Sequence, residues 1–175
     1  SLVRNVFYQF DKAAITDSSK VALDRLAALL KDNPHITIEL SSNCDYRGTD
    51  AYNDRLSQQR AENVVHYLIS QGIPAARLTP KGYGKKNPKI VSKKLAETYT
   101  FLKEGDTLTT AYIMMLPPKE QEICNALNRR TEFRVLRTTY GLFDEKGNFN
   151  PSLLKPQEKR EEEQTSDSEP AGILY

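Results

Sequence analysis

Asn43-Cys44-Asp45-Tyr46-Arg47-Gly48-Thr49-Asp50-Ala51-Tyr52-Asn53, running on through Leu56-Ser57-Gln58-Gln59-Arg60-Ala61, sets a carboxylate and a guanidinium fifteen residues apart across a strand-to-helix turn. The strand is His35-Ile36-Thr37-Ile38-Glu39-Leu40, whose apolar Ile36, Ile38 and Leu40 alternate, so one face is buried and its end delivers the 43 to 48 loop. Gly48 permits the turn. The helix that follows has Ala61, Val64, Val65 and Leu68 on its inner face, Ser57 as its N-cap and Gly72 as its C-terminal stop. With Ser57 as the cap, Arg60 falls in the first turn, where unpaired backbone N–H groups and the helix dipole already favour an anion.

Working outward, Asn5-Val6-Phe7-Tyr8-Gln9-Phe10 is β-rich and reads as a strand. Asp17 or Ser18 caps a helix with Leu23, Leu26, Ala27 and Leu30 at i, i+3, i+4 and i+7, and the helix stops before Asn33-Pro34. Downstream, Arg77-Leu78-Thr79-Pro80-Lys81-Gly82-Tyr83-Gly84 reads as a short strand that Pro80 confines to an edge or a strand start. The order β-α-β-α-β predicts an α+β fold, a two-layer sandwich with the helices on one face of a mixed sheet. Between Lys85 and Leu127 the pattern changes to short helical pieces broken at Glu104-Gly105-Asp106 and Pro117-Pro118, a helical insertion over about 89–127. Thr131 to Leu136, with Phe133 and Val135 alternating with charges, is the last strand. One domain over residues 1–140 is expected, followed by a tail, 141–175, without fixed structure apart from local docking of Leu142-Phe143 and Leu153-Leu154.

The 175 residues carry 25 basic and 23 acidic side chains, a net charge of +2, so no global field favours nucleic acid or membrane headgroups. No apolar run approaches the roughly 20 residues that span a bilayer. Ser1-Leu2-Val3-Arg4 is not a secretory signal, and with a strand beginning almost at once the chain reads as a piece of something longer. Cys44 and Cys124 suit either one disulfide or two buried thiols, the second being favoured for Cys44; their spacing fits no metal motif, and no cofactor is expected.

The 43 to 61 segment, with Phe10-Asp11-Lys12 before it and Asn128-Arg129-Arg130 after it, resembles the C-terminal domain of outer-membrane protein A and its relatives, the peptidoglycan-associated lipoproteins and flagellar stator proteins. The resemblance runs from about Val6 to Pro88 and again from Asn128 to Leu136, and the inserted segment looks most like that of Bacteroidetes proteins. It implies a noncatalytic periplasmic domain that binds peptidoglycan through the diaminopimelate of the stem peptide. Through parts of a longer protein it would tether the outer membrane, or outer-membrane proteins, to the wall. The family's binding aspartate and arginine match Asp45 and Arg60, its loop asparagine matches Asn53, and the Leu-Ser before the helix matches Leu56 and Ser57. Of the two arginines after Asn128, Arg129 is preferred as the one facing the ligand, and Asp11 matches a first loop whose backbone lines the same pocket. One departure lies inside the motif: Asn43-Cys44 stands where the family has His or Tyr followed by Thr, which removes a hydroxyl from the site.

Diaminopimelate ends in an amine and a carboxylate on one carbon, which suits an acceptor beside a planar donor, Asp45 beside Arg60. The competing readings are a plain Asp45–Arg60 salt bridge tying loop to helix, a Cys44 hydrolase with His35 or His66 as base, and a self-associating or partner-binding domain. Tyr46, Arg47 and Asp50 are expected as solvated turn residues, the lysines at 81, 85, 86, 89, 93 and 94 as a solvated link, and Tyr112, Ile113, Met114 and Met115 as a small core of the insertion.

Overall fold

A computed structural model of the chain describes residues 15–153. The expected strand at 5–10, Asp11 and residues 154–175 lie outside them. In chain order the elements are α1 (Asp17–Asp32), β1 (Thr37–Asn43), α2 (Asp50–Ser70), β2 (Leu78–Gly84), α3 (Lys93–Thr98), α4 (Thr110–Met114), α5 (Pro118–Asn128) and β3 (Arg130–Arg137).

The described sheet has the order β2-β1-β3, with β2 parallel and β3 antiparallel to the central β1. Ile38 and Leu40 of β1 point into one apolar layer with Leu23, Leu26 and Leu30 of α1 and Val64, Val65 and Leu68 of α2. This is the expected two-layer α+β arrangement, and Pro80 lies in β2, at an outer position of the described sheet. The other face of β1 carries Glu39, which accepts from Tyr83 Oη (2.7 Å) and from Arg134 Nη2 (3.2 Å).

Two helix starts differ from expectation. The cap of α1 is Thr16, whose hydroxyl accepts from the Ser19 amide, so Asp17 is already helical. The larger difference is in α2, which begins at Asp50 rather than near Ser57. Gly48 at φ +87° turns the chain, and Thr49 Oγ1 then accepts from the Tyr52 amide at 3.1 Å, capping the helix eight residues before Ser57. The C-terminus is as expected: the Gly72 amide donates to Ile69 and the Ile73 amide to Leu68, a two-bond closure that needs the positive φ of Gly72 (+97°).

Ser57 serves instead to bind α2 to the sheet. Its hydroxyl accepts from the Gly84 amide (2.8 Å), and Gln58 Oε1 accepts from the Gly82 amide (2.8 Å). A Cβ at Gly82 would lie against the Gln58 backbone nitrogen, and 2.6 Å from both Gln58 Cα and Ser57 Oγ, so α2 rests on β2 at a distance only glycine allows.

The insertion folds around its own core of Val91, Leu95, Leu102, Leu108, Ile113, Cys124 and Leu127. Of the four residues expected to fill that core, Ile113 does and Tyr112 packs on it, whereas Met114 and Met115 stay exposed. Asn128 ties the insertion down at its C-terminal end: its Oδ1 accepts from the Lys89 amide (2.8 Å) and its Nδ2 donates to the Leu108 carbonyl (3.0 Å). Both cysteines are buried free thiols. Beyond β3, the Tyr140 amide donates to the His35 carbonyl, Leu142 is buried and Phe143 bridges to Phe149.

Candidate functional site

β1 ends at Asn43, and the next two residues bring Cys44 and Asp45 to the rim of the sheet, where the chain turns into α2. Asp45 is only 6% exposed. Its Oδ1 accepts from the Arg47 amide (2.9 Å) and Arg47 Nε (3.2 Å), and its Oδ2 from Arg47 Nη2 (2.7 Å) and Arg129 Nη1 (2.6 Å). Burial works against ionising this carboxyl, but the bonds from Arg47 and Arg129 outweigh it and hold its pKa below the ordinary aspartate value. Asp45 is therefore an anion at neutral pH.

Arg60 sits on the third turn of α2, ten residues past its first residue, or about 15 Å along the axis. The field of the helix N-terminus, expected to reinforce it, therefore does not reach it. It is 4% exposed, and its Nη1 lies 4.0 Å from Cys44 Sγ, beside Asp45 in the chain. Among the described residues, the charge partners of Asp45 are Arg47 and Arg129 and not Arg60, so the plain Asp45–Arg60 salt bridge is not formed.

Arg129 is the single residue between α5 and β3, and its fork joins Asp45 to Glu122 of α5 (Nη2 to Oε1, 2.9 Å). Arg130 turns elsewhere, to Glu132, the Asn128 carbonyl and the Asn87 carbonyl. Asn53 is buried, and its Nδ2 donates to the carbonyls of Arg47 (2.7 Å) and Thr49 (3.0 Å), which gives it a loop-shaping position. Leu56 is half-buried and belongs to neither apolar cluster among the described residues. Asp11 lies outside the described residues.

Sequence reasoning passed over Arg47, treated as a solvated turn residue, although it makes four of the five hydrogen bonds to Asp45. Its place two residues after the acid, next to a glycine, was the available signal. Lys85 was passed over too: its Nζ donates to the carbonyls of Tyr46 (3.3 Å) and Gly48 (2.8 Å) and pairs with Asp50, so it holds the loop rather than merely solvating a link. Tyr46 packs on the insertion's core.

The Cys–His pair of the hydrolase reading is not assembled. His35 lies at the opposite end of β1 from Cys44, nine residues away along an extended stretch or about 30 Å. His66 is exposed on α2. Burial raises the Cys44 thiol above its ordinary pKa, and the opposing pull of Arg60 does not cancel it. The described residues hold no group of His, Cys, Asp or Glu arranged for a metal ion, and no helix among them is long and apolar enough to cross a membrane.

Residues 7–99 match the OmpA family. Outer membrane protein A of Shimwellia blattae is 41% identical over 90 residues, which cover 50% of this chain and 37% of that protein. That of Bordetella avium is 40% identical over 93 residues, 53% of this chain and 47% of that protein. The chain thus spans less than half the length of either relative. Among solved structures, the peptidoglycan-associated lipoprotein from Burkholderia pseudomallei superposes with a TM-score of 0.54 at 25% identity, over 75% of this chain and 88% of that one.

Proposed function

Because the chain belongs to the OmpA family, we propose that it is a noncatalytic periplasmic module that binds peptidoglycan through the diaminopimelate of the stem peptide and tethers an outer-membrane protein to the wall. The observation that carries this reading is the buried Asp45 carboxylate at the end of β1, its pKa held low by its arginine partners, with Arg129 on its Oδ2 and Arg60 against the neighbouring Cys44. Asp45 accepts from the ligand's ammonium, and Arg60 and Arg129 take its carboxylate, a planar fork being the donor that matches a carboxylate's two oxygens. Leu56 lines the site, Asn53 holds the shape of the loop, and Asp11, outside the described residues, is assigned to the same site on its match to the family's first loop.

Each charge-assisted contact contributes about 1.5 to 3 kcal/mol, and association costs several kcal/mol, so one site binds at roughly micromolar to millimolar strength. Many copies facing a repetitive wall convert that into firm attachment. A wall with lysine in place of diaminopimelate lacks the side-chain carboxylate that Arg60 and Arg129 take, and is held less well.

The test is cosedimentation with diaminopimelate-type sacculi of the wild type and of Asp45→Ala and Arg60→Ala variants, each checked for folding by circular dichroism. Wild type is expected in the pellet and the folded variants in solution. If all three stay in solution, or all three pellet alike, the pair is structural and the partner-binding alternative takes its place.

A further inference from the structure

An ammonium donates in several directions at once and is best met by more than one acceptor. Asp45 is 6% exposed and already accepts from the Arg47 amide, the Arg47 fork and Arg129 Nη1. A second carboxylate lies on the same arginine. Arg129 Nη1 donates to Asp45 Oδ2 at 2.6 Å and its Nη2 to Glu122 Oε1 at 2.9 Å, so the two acids rest against neighbouring nitrogens of one planar group.

Glu122 differs from Asp45 in what it has left to offer. Its side chain is 59% exposed, and among the described residues its ion-pair partner is Arg129 alone, through Oε1, which leaves Oε2 open. The Arg129 side chain is 17% exposed and gives one donor to each acid, fewer than the N–H groups a guanidinium carries. Glu122 precedes Arg129 by seven residues, about two helical turns, which sets both on the side of α5 that meets the loop after β1. Its charge is felt in that loop: Arg47 is held above its ordinary pKa chiefly by its bond to Asp45, and Glu122 adds to the shift.

We propose that Glu122 is the second acid of this site, accepting the ligand's ammonium on Oε2 beside Asp45 while Arg60 and Arg129 take the carboxylate. The role rests on the reading of Asp45 as an ammonium acceptor. It gives the insertion a share in recognition, since α5 then supplies an acceptor from its middle and, at its end, the Arg129 donor. It also narrows the ligand class. A stem peptide whose diaminopimelate amine is acylated, as in a cross-link, has lost the charge that two acids surround, so the site selects stems whose amine is free. A partly exposed contact of this kind changes affinity by about fivefold.

The experiment is an NMR titration of the 15N-labelled protein with two probes: an N-acetyl-capped stem tripeptide ending in meso-diaminopimelate, and the same peptide with its side-chain amine acetylated. Wild type is compared with Glu122→Gln, which keeps an oxygen for Arg129 Nη2 and removes the charge, so a selective loss reports on the ammonium rather than on the placement of Arg129. Wild type is expected to prefer the free amine, and Glu122→Gln to bind that peptide about fivefold more weakly while binding the acetylated one as wild type does. If wild type prefers the free amine and Glu122→Gln keeps that preference in full, or weakens both peptides alike, the role of Glu122 is overturned and the site reading stands. If wild type binds neither peptide, or both equally, the ammonium reading fails and Glu122 falls with it.

Discussion

Replacing Gly82 by alanine is expected to separate α2 from β2 and to weaken the site at the same time. The new Cβ would lie against the backbone nitrogen of Gln58 and 2.6 Å from its Cα and from Ser57 Oγ. Two of these three atoms are helix backbone, so no rotamer change relieves the clash, and the helix must retreat by about 1 Å to reach ordinary contact distance. Overpacking of this kind costs about 1 to 3 kcal/mol. The retreat also stretches the bonds from the Gly82 amide to Gln58 and from the Gly84 amide to Ser57, each contributing about 1 kcal/mol. The expected loss is therefore about 3 to 5 kcal/mol, a large share of the roughly 5 to 15 kcal/mol that holds a domain folded. Urea unfolding followed by circular dichroism reads it as a drop in midpoint with an unchanged slope. Since Arg60 is carried by the same helix, retention on sacculi should fall under conditions where the variant is still folded. A stability loss below about 1 kcal/mol would refute the claim that the α2–β2 contact is set by glycine.

Asp45 and Glu132 both have folded-state pKa values below their ordinary ones, because for each the opposing effect of burial is outweighed by arginine and lysine partners. The stability they contribute is present above the unfolded-state pKa of about 4 and lost as pH falls through the folded-state values. Thermal melts between pH 5 and pH 2 should show a steeper fall for wild type than for Asp45→Asn; parallel curves would count against it. Replacing Asn128 by alanine removes both ties at the C-terminal end of the insertion, the bond from the Lys89 amide and the bond to the Leu108 carbonyl, at a cost of about 1 to 3 kcal/mol. Hydrogen exchange should then quicken in residues 89–116 more than in α1, and uniform protection would sink that assignment.

Local patterns were enough to find most of the frame. The alternation of Ile36, Ile38 and Leu40, the helical spacing of Leu23, Leu26 and Leu30 and of Val64, Val65 and Leu68, and the stop at Gly72 all reappear as elements, because each depends on periods of two or 3.6 residues within one segment. The start of α2 was misjudged because Thr49 and Ser57 are both good caps in a polar run. The choice between them was made by the turn at Gly48 and by Gly84, whose amide takes the Ser57 hydroxyl from another element.

The sequence by itself determined the family, the two-layer arrangement, and the candidacy of Asp45, Arg60 and Arg129, since family motifs and hydrophobic periodicity are properties of short stretches. Tertiary structure alone decided how those groups are used. Arg129 reaches Asp45 across 84 residues at the end of an inserted helix, and Arg60 lies on the third turn of α2 against Cys44 rather than on Asp45. Arg47, read as a solvated turn residue, instead takes both oxygens of the acid in its fork. Which donor a buried carboxylate accepts is settled by the distances among all the cations that folding brings to it, and those distances are set by packing, which no local pattern encodes.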